Sequence, residues 1–435
     1  MSDTRFKVSP GGLLSGRLRV PGDKSISHRS IMLGSLADGV TEVSGFLEGA
    51  DSLATLHAFR AMGVAISDPV NGHVTIQGVG LHGLQAPAQA LDLGNAGTSM
   101  RLMSGLLAGQ SFDVTLSGDA SLSTRPMRRV VEPLSLMGAH IETTSAGTAP
   151  LVIRGGAALH GVDYAMPMAS AQVKSCLLLA GLYADGTTCV TEPAPTRDHT
   201  ERMLCGMGYP LHSGSGRVCL EGGHHLNAIS IDVPADISSA AFFLVAASIA
   251  PGSELVLEHV GMNPTRTGVI DILRQMGASI EVTNRHDVGG EPVADLQFRA
   301  AELRGIEIDP ALVPLAIDEF PAVFVAAACA RGRTVLTGAA ELRVKESDRI
   351  QVMADGLRQL GIDAVPTADG MIIEGGSLTA GRIDSHGDHR IAMAFAMAAL
   401  RSQGAIDIRD CENVTTSFPG FAALAAHAGL RIQTA

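Results

Sequence analysis

The sequence predicts an α/β protein of two domains, in which Ala-rich helices lie inside and short strands lie around them. One pattern occurs six times along the chain, at a period of roughly 70 residues, which is longer than the usual solenoid repeats. An apolar helix ends near a glycine, a short strand follows, and a turn leads to a second helix and another strand. Six units of this βαβ type fit two domains of three units each.

The six repeats share a helix that ends in glycine directly before a strand. They are SLADGVTEVSGFLEGADSLATLHAFRAMGVAI, LLAGQSFDVTLSGDASLSTRPMRRVVEPLSLMGAHIE, LYADGTTCVTEPAPTRDHTERMLCGMGYPLH, SIAPGSELVLEHVGMNPTRTGVIDILRQMGASIEV, CARGRTVLTGAAELRVKESDRIQVMADGLRQLGIDAV and LRSQGAIDIRDCENVTTSFPGFAALAAHAGLRI. We expect left-handed backbone at the helix-ending glycines, because glycine lacks the Cβ that makes this conformation costly. These glycines are Gly63, Gly138, Gly208, Gly277, Gly361 and Gly429.

Residue types support the separate elements of this pattern. Alternating β-branched residues in TVLTG and ELVLEHV are typical of half-buried strands. The stretches ALDLGNAGTSMRLMSGLLAG and DISSAAFFLVAASIA are apolar and begin with residues that cap helices, so they predict buried helices. Their many Ala and Gly residues allow helices to approach one another closely.

Composition excludes several classes of protein. The chain has 435 residues, 46% hydrophobic and 17% charged, which is enough to bury a large core in two or more domains. A formal net charge of −12 argues against general binding of nucleic acid or membrane surfaces, since both need broad basic fields. The opening MSDTRFKVSP lacks the features of a signal peptide, and no apolar run reaches the length of a membrane span. We therefore expect a cytoplasmic protein. As a separate expectation, the protein is a monomer.

The cysteine pattern favours buried or free thiols. No two of the six cysteines form a CxxC pair, so neither a disulfide framework nor a structural zinc site is expected. They are Cys176, Cys189, Cys205, Cys219, Cys329 and Cys411.

The stretch VPGDKSISHRS predicts an anion site at the start of a helix. Lys24, Ser25 and Arg29 follow a Pro-Gly turn, where unpaired N–H groups already favour negative charge. A nucleotide P-loop needs GxxxxGK[ST], and here Asp23 separates Gly22 from Lys24. Phosphate is therefore a plausible ligand, and ATP is not supported.

Three further clusters carry donors near helix starts, and each also has an ordinary interpretation. LGNAGTSMR leaves backbone N–H groups open to an anion, or is a tight helix-start turn. STRPMRR places Arg125, Arg128 and Arg129 together, either as a fork for phosphate or carboxylate or as a solvated surface run. ASAQVKS offers the hydroxyl, amide and ammonium of Ser170, Gln172 and Lys174, or simply caps a helix.

The second half of the chain supplies the candidate acids. Asp318 in IDEFP precedes an apolar helix, where it is a partner of the helix dipole or, in a desolvated cleft, a general base. In LRVKESDR, helical spacing would bring Glu346 within reach of Arg349, so a structural salt-bridge helix is the default. SHGDHR contributes Asp388 and Arg390, and its two histidines leave a metal site open as a less favoured alternative. Together, the clusters predict a small, highly anionic substrate or pair of substrates enclosed between the domains.

In motif order the chain resembles the 5-enolpyruvylshikimate-3-phosphate (EPSP) synthase family over essentially its whole length. The shared motifs are PGDKSISHR, LGNAGTSMR, GDASLSTRPM, SAQVKS, TRDHTERML, IDEFP, LRVKESDR and GDHRIAMA. The resemblance implies a two-domain inside-out α/β barrel of the enolpyruvyl transferase type, with three βαβαββ repeats per domain. One domain would hold residues 1–21 and 243–435, including the Asp318, Glu346 and Arg390 side of the cleft. The other, residues 22–242, would make most contacts with shikimate 3-phosphate.

The same resemblance implies the reaction and its residues. The carboxyvinyl group of phosphoenolpyruvate would pass to the 5-hydroxyl of shikimate 3-phosphate by addition and elimination, with no metal or cofactor. Shikimate 3-phosphate would contact Ser25, Arg29, Ser170, Gln172, Arg197, Asp318 and Lys345. Phosphoenolpyruvate would contact Lys24, Gly97, Arg125, Arg349 and Arg390. Asp318 would accept the proton of the 5-hydroxyl, Glu346 would protonate the methylene carbon, and Lys24 would stabilise the departing phosphate.

The chain also departs from the family pattern, in ways similar to the family's second class. Ala171 stands where many relatives have a second serine, so Lys174 or Arg197 is expected to replace the missing phosphate contact. Thr416 stands where relatives with a lysine before TFP make another contact. Two alternatives stay open. A UDP-N-acetylglucosamine 1-carboxyvinyltransferase shares the fold, but Ala120 occupies the place of its reactive cysteine. A non-catalytic anion-binding protein would bind ligand without releasing phosphate.

Overall fold

The computed structural model describes residues 4–435, which fold into two compact units. The inserted unit consists of Gly22–Val233 and Asp287–Glu291. The terminal unit consists of the described chain up to Pro21, Pro234–His286 and Pro292–Ala435. The division after Val233 differs from the sequence-based boundary after residue 242, which falls inside the continuous helix Ile237–Ile249. Asp287–Glu291 joins the inserted unit although the strands on either side start or end in the other unit.

The helices alternate between buried ones and more exposed ones. In chain order they are α1 Lys24–Leu36, α2 Ala50–Ala61, α3 Gly97–Ala108, α4 Arg128–Leu136, α5 Ala171–Gly181, α6 His199–Gly206, α7 Ile237–Ile249, α8 Gly268–Gln275, α9 Phe320–Ala328, α10 Arg349–Gln359, α11 His389–Ala398 and α12 Phe421–Ala428. Short 3₁₀ segments span Leu122–Thr124, Pro310–Leu312, Ala340–Val344, Ala399–Arg401 and Glu412–Thr416.

The strands are mostly short. They are β1 Phe6–Val8, β2 Ser15–Leu18, β3 Val40–Ser44, β4 Ala65–Ile66, β5 Val74–Gln77, β6 Leu91–Asp92, β7 Val114–Ser117, β8 His140–Glu142, β9 Leu151–Arg154, β10 Asp163–Ala165, β11 Thr187–Thr191, β12 Leu211–Gly214, β13 Arg217–Glu221, β14 Ser230–Asp232, β15 Glu254–Gly261, β16 Ser279–Val288, β17 Glu291–Arg299, β18 Arg333–Leu336, β19 Asp363–Pro366, β20 Met371–Glu374, β21 Gly381–Asp384, β22 Ile406–Arg409 and β23 Ile432–Thr434.

Within residues 4–435 each unit carries three sheets, and the three sheets of the inserted unit repeat one plan. In the inserted unit their strand orders are β14-β3-β5-β4, β6-β7-β9-β8 and β10-β11-β13-β12, each with one parallel pair followed by two antiparallel pairs. In the terminal unit the orders are β21-β22-β1-β23, β16-β17-β15-β2 and β18-β20-β19. The predicted three repeats per unit are confirmed.

The first helix of each repeat is buried, as its composition predicts. All 13 residues of α7 are buried, because a helix that is apolar on every side can only be stable inside the protein. Helices α7, α9 and α11 pack on one another in the terminal unit, and α3 packs on α1 and α5 in the inserted unit. The helix-ending glycines all have positive φ, from 80° at Gly208 to 121° at Gly429, so this prediction is also confirmed.

The cysteine prediction is wrong at one pair. Cys189 on β11 and Cys219 on β13 form a disulfide, because the antiparallel register places them directly opposite each other. Their separation of 30 residues gives no local signal for this pairing. The other four cysteines lie outside this disulfide. Among residues 4–435, no helix is long and apolar enough to cross a membrane.

Candidate active site

The anion site predicted at the start of α1 has an ion pair at its centre. Asp23 caps the helix by accepting a hydrogen bond from the Ile26 backbone N–H at 2.9 Å. The ammonium of Lys24 pairs with the carboxylate of Asp51, which lies in the first turn of α2. Asp51 is buried, whereas the Lys24 side chain keeps 21% of its surface exposed. Asp51 thus holds the ammonium of Lys24 from the buried side, while the partly exposed side of Lys24 remains accessible to a ligand.

Arg29 joins three helices of the inserted unit. Its Nε donates to Thr200 Oγ1 of α6 at 2.7 Å, and its Nη2 donates to Ser175 Oγ of α5 at 2.8 Å. Its Nη1 donates to the carbonyl of Ser25 at 2.9 Å. The guanidinium is therefore fixed beside Ser25, as the anion-site prediction requires.

Behind Lys24, the same helix carries a buried histidine. His28 Nδ1 lies 2.8 Å from Thr55 Oγ1 of α2 and 3.1 Å from Ser99 Oγ of α3. Burial lowers the pKa of His28 well below its usual value, and the nearby charges of Lys24 and Arg29 lower it further. His28 is therefore neutral at physiological pH and adds no positive charge to the site.

Gly97 and Arg125 lie against each other at the start of α3. Arg125 Nη2 donates to Asn95 Oδ1 at 2.5 Å and to Ser121 Oγ at 3.3 Å. A Cβ added to Gly97 would lie 3.0 Å from Arg125 Nη1. Arg128, which the sequence grouped with Arg125, instead donates to the carbonyl of Ser145 at the surface. Only part of the STRPMRR cluster therefore reaches the site.

The start of α5 contributes a hydroxyl and an amide. Ser170 caps the helix by accepting from the Val173 N–H at 3.3 Å. Gln172 accepts from Arg101 Nη1 at 2.6 Å and donates to Thr98 Oγ1 at 3.0 Å, which links α5 to α3. The ASAQVKS and LGNAGTSMR motifs are thus one hydrogen-bonded group.

Lys174 does not replace the phosphate contact that is missing because position 171 is alanine and not serine. Only 2% of its side chain is exposed, and its ammonium lies 2.7 Å from Glu201 and 3.0 Å from Glu192. Two carboxylates inside the unit thus engage it, so the expectation that it could bind a substrate phosphate is corrected. Arg197, which is half-buried, is the remaining candidate for that contact.

In the terminal unit, Asp318 lies among cations. Its Oδ1 is 3.3 Å from Lys345 Nζ and 3.5 Å from Arg349 Nη1. Its backbone carbonyl accepts from Arg390 Nη1 at 2.9 Å. The residue ends the loop before α9, whose first turn contains Pro321 and whose cap is Glu319.

Arg349 is fully buried and is held by acidic groups. Its Nε donates to Asp388 Oδ2 at 2.8 Å, and its Nη2 donates to Glu346 Oε2 at 2.6 Å. Burial opposes its charge, but Asp388 and Glu346 outweigh burial and raise the pKa of Arg349. In return, although burial favours the neutral acid, Arg349 keeps the pKa of Asp388 below its usual value.

The salt-bridge helix predicted over LRVKESDR is wrong in its extent. Helix α10 begins only at Arg349, because the Asp348 side chain accepts from the Gln351 N–H and caps it there. Lys345 is extended. The Glu346–Arg349 contact forms nevertheless, across the helix start, and this leaves Glu346 a quarter exposed.

Arg390 opens α11, and Asp388 caps that helix by accepting from the Arg390 N–H at 2.9 Å. Burial lowers the pKa of Arg390, and the charge of Arg349 lowers it further. Glu319 Oε1 lies 4.0 Å from Arg390 Nη1. A metal site at SHGDHR is not favoured, because the carboxylate of Asp388 already accepts hydrogen bonds from Arg349, Ser347 and the Arg390 N–H.

The structure brings the candidate residues together in two groups, one in each unit. In the inserted unit, Lys24 is held by the carboxylate of Asp51, and Arg29 and Arg125 are held by hydroxyl and carbonyl oxygens. In the terminal unit, two carboxylates, Asp318 and Glu346, contact the buried Arg349. Sequence reasoning missed Asp51 and Thr200, which hold Lys24 and Arg29. Asp51 stands at the start of a predicted helix, and this position is the one signal that marked it.

Comparison with known proteins gives one family. The EPSP synthase (3-phosphoshikimate 1-carboxyvinyltransferase) family model matches residues 8–424. The chain is 69% identical over 431 residues to 3-phosphoshikimate 1-carboxyvinyltransferase of Methylococcus capsulatus, with 99% of each chain covered. It is 70% identical over 428 residues to the protein of that name from Alkalilimnicola ehrlichii, covering 98% of this chain and 96% of the relative.

Solved structures agree with the sequence comparison. The structure of EPSP synthase from Acinetobacter baumannii superimposes with a TM-score of 0.90 at 59% identity, covering 99% of this chain and 100% of that one. A second structure of EPSP synthase from this organism gives a TM-score of 0.89 at 58% identity, covering the same shares of the two chains. The fold prediction is thereby confirmed, and the chain belongs to the EPSP synthase family.

Proposed function

We propose that this chain is an enzyme that transfers the carboxyvinyl group of phosphoenolpyruvate to the 5-hydroxyl of shikimate 3-phosphate. The products are 5-enolpyruvylshikimate 3-phosphate and inorganic phosphate, in the shikimate pathway of aromatic amino acid biosynthesis. One observation carries the proposal: the carboxylates of Asp318 and Glu346 both contact Arg349, at 3.5 and 2.6 Å. Two acids on one buried cation suit a reaction that moves two protons between anionic substrates.

For the acceptor, we assign the residues that offer hydroxyl, amide and cationic donors. They are Ser25, Arg29, Ser170, Gln172, Arg197 and Lys345, together with Asp318 at the reacting hydroxyl. The fixed position of Arg29 between Thr200 and Ser175 supports this assignment, because a donor that is already oriented loses little entropy on binding. Arginine also matches the geometry of phosphate and carboxylate groups.

For phosphoenolpyruvate, we assign Lys24, Gly97, Arg125, Arg349 and Arg390, the last two for its carboxylate. The absence of a side chain at Gly97 supports a close approach of the ligand to the start of α3 beside Arg125. Lys24 remains partly exposed while Asp51 holds its ammonium. It is therefore suited to the charge that grows on the phosphate as this group departs.

In the addition step, the 5-oxygen attacks C2 of phosphoenolpyruvate while Asp318 takes the hydroxyl proton and Glu346 delivers a proton to C3. In the elimination step, the Glu346 carboxylate takes a proton back from C3, the C2–C3 double bond forms again, and the bond from C2 to the phosphate oxygen breaks as phosphate departs. Asp318 can hold its negative charge beside Lys345 and Arg349. Glu346 is the more exposed acid, since its side chain keeps 25% of its surface exposed, against 12% for Asp318. This difference supports Asp318 as base and Glu346 as acid.

The proposal places the enzyme in the cytoplasm as a monomer that acts on two small molecules and needs neither a metal nor a cofactor. Phosphate release from phosphoenolpyruvate tests the function directly. Shikimate 3-phosphate and UDP-N-acetylglucosamine are compared as acceptors, with the wild-type chain, Glu346→Gln and the control Glu374→Gln. Glu374 is a suitable control because it is exposed on β20 and pairs at 3.7 Å with Arg333, which is also exposed.

We expect phosphate release with shikimate 3-phosphate and not with UDP-N-acetylglucosamine. Glu346→Gln should reduce the rate of release about 10²- to 10⁴-fold, and Glu374→Gln should leave it unchanged. Release with the nucleotide sugar would instead assign the other carboxyvinyltransferase activity. Ligand binding without any release would identify a non-catalytic binding protein.

A further inference from the structure

Lys174 is buried beneath the loop that carries Arg197. Its ammonium lies 3.0 Å from Glu192, at the end of β11, and 2.7 Å from Glu201, in the first turn of α6. It also donates to the carbonyl of Thr196 at 3.5 Å. One cation thus contacts the strand end, the loop and the helix start that surround Arg197.

A second set of contacts fixes the loop on either side of Arg197. Thr196 is buried, and its hydroxyl donates to Glu192 Oε2 at 2.6 Å. On the other side, Asp198 accepts from Arg202 Nε at 2.9 Å. The backbone of Arg197 is therefore held between two side-chain contacts.

We call one cluster the loop anchor; it consists of Lys174, Glu192, Thr196 and Glu201. Its contacts hold the loop that carries Arg197 in one position. Two carboxylates share one ammonium, so the removal of Lys174 would leave the buried charge of Glu201 and the partly buried charge of Glu192 without this cation. A loop of this length between a strand and a helix would otherwise sample many conformations, and binding would have to order it.

We propose that the loop anchor orients Arg197 for the phosphate of the acceptor and so determines affinity for shikimate 3-phosphate but not for phosphoenolpyruvate. This inference rests on the proposed function. It assigns Lys174, Glu192 and Thr196 as positioning residues, since they act through Arg197 and not on the substrate. The anchor also accounts for a lysine that the sequence placed among the substrate-binding groups and the structure buries.

The test uses Thr196→Val, because Lys174→Met risks misfolding, whereas valine keeps the shape of threonine and leaves all charges in place. Thr196→Ser restores the hydroxyl. Thr75→Val is the matched control, because Thr75 Oγ1 likewise donates to a carboxylate, Glu42 Oε2, at 2.8 Å in the same unit. Michaelis constants for both substrates and kcat are measured for each full-length variant, and also for Arg197→Met and the Arg197→Met/Thr196→Val double variant.

We expect Thr196→Val to raise KM for shikimate 3-phosphate about 5- to 20-fold, as the loss of a hydrogen bond to a charged group does. KM for phosphoenolpyruvate and kcat should stay within about twofold of wild type. Thr196→Ser and Thr75→Val should behave as wild type. In the Arg197→Met background, Thr196→Val should add less than about twofold, because the residue to be oriented is gone.

Three outcomes would each overturn the positioning role. The first is an unchanged KM for shikimate 3-phosphate in Thr196→Val, and the second is an equal rise in KM for both substrates. The third is that Thr196→Val raises KM for shikimate 3-phosphate as much in the Arg197→Met background as in the wild-type chain. These results are distinct from a failure of the proposed function, which would appear as no turnover of shikimate 3-phosphate by the wild-type chain. That failure would remove this inference as well.

Discussion

Arg349 Nε donates to Asp388 Oδ2 at 2.8 Å, which joins the first residue of α10 to the cap of α11. The two residues are 39 apart in sequence, and both are buried. The pair sets the position of the guanidinium that also contacts Asp318 and Glu346, so the orientation of two candidate catalytic acids depends on a residue that we assign to neither substrate.

Asp388→Asn should therefore destabilise the fold as well as the site. Removal of one partner of a buried ion pair costs about 3–5 kcal/mol of unfolding free energy when the other charge is left uncompensated. Because Glu346 and Asp318 still contact Arg349, we expect the loss in this variant to lie at or below that range. Urea denaturation measures this loss. Asp355→Asn is the control, because Asp355 pairs with Arg358 at the exposed surface of α10 and should contribute less than about 1 kcal/mol. Equal losses in the two variants would contradict a stabilising role for the buried pair.

Asp318→Asn should remove most of the activity while leaving the fold intact. If Asp318 accepts the hydroxyl proton, kcat should fall about 10²- to 10⁴-fold, since an amide cannot act as a base at neutral pH. Steady-state kinetics of phosphate release measure it. Asp363→Asn, on the exposed side of β19, should retain wild-type kcat. A kcat within about tenfold of wild type in Asp318→Asn would assign the base to another group.

Gly97→Ala should weaken phosphoenolpyruvate binding. The added Cβ would lie 3.0 Å from Arg125 Nη1, so the guanidinium must move away from the start of α3. We expect KM for phosphoenolpyruvate to rise about 10-fold, with a smaller change for shikimate 3-phosphate. Gly214→Ala is the control, because its Cβ would meet no atom within 4 Å. A larger effect on the acceptor than on the donor would place Gly97 at the other substrate.

Acid should destabilise the inserted unit through His28. Its pKa in the folded protein is lowered well below 6.5, so between that lowered value and 6.5 the unfolded chain binds the proton more readily. The contribution of His28 to stability is therefore fully present above 6.5 and is lost as the pH falls below it, at no more than about 1.4 kcal/mol per pH unit. Urea denaturation at about pH 7.5 and about pH 5.5 measures this loss.

His28→Gln should be less stable than wild type near neutral pH, because it loses the contacts with Thr55 and Ser99, but it should lose less stability on acidification. His57→Gln, at an exposed position of α2, should keep the wild-type pH dependence. If His28→Gln and wild type lost equal stability between the two pH values, His28 would not be the responsible group.

The sequence by itself determined the repeat architecture. The helix-ending glycines, the capping aspartates and the alternation of apolar residues act over a few neighbouring positions, so they can be read without the fold. Asp236 and Asp388 cap α7 and α11, and Gly63 and Gly429 have positive φ, as such local rules require. The motifs that carry the family resemblance are likewise short and continuous, which is why most candidate site residues could be named in advance.

Only the tertiary structure decided which side chains contact each other. Arg29 donates a hydrogen bond to Thr200, which is 171 positions away in sequence. Cys189 bonds to Cys219 because the register of two strands places them opposite each other. Lys174 belongs to a substrate motif by sequence, yet its ammonium contacts the carboxylates of Glu192 and Glu201. A side chain has the same local sequence whether it faces a ligand or a neighbouring helix. Because the energy of an ion pair depends on distance and desolvation, its partner is settled only when the chain is folded.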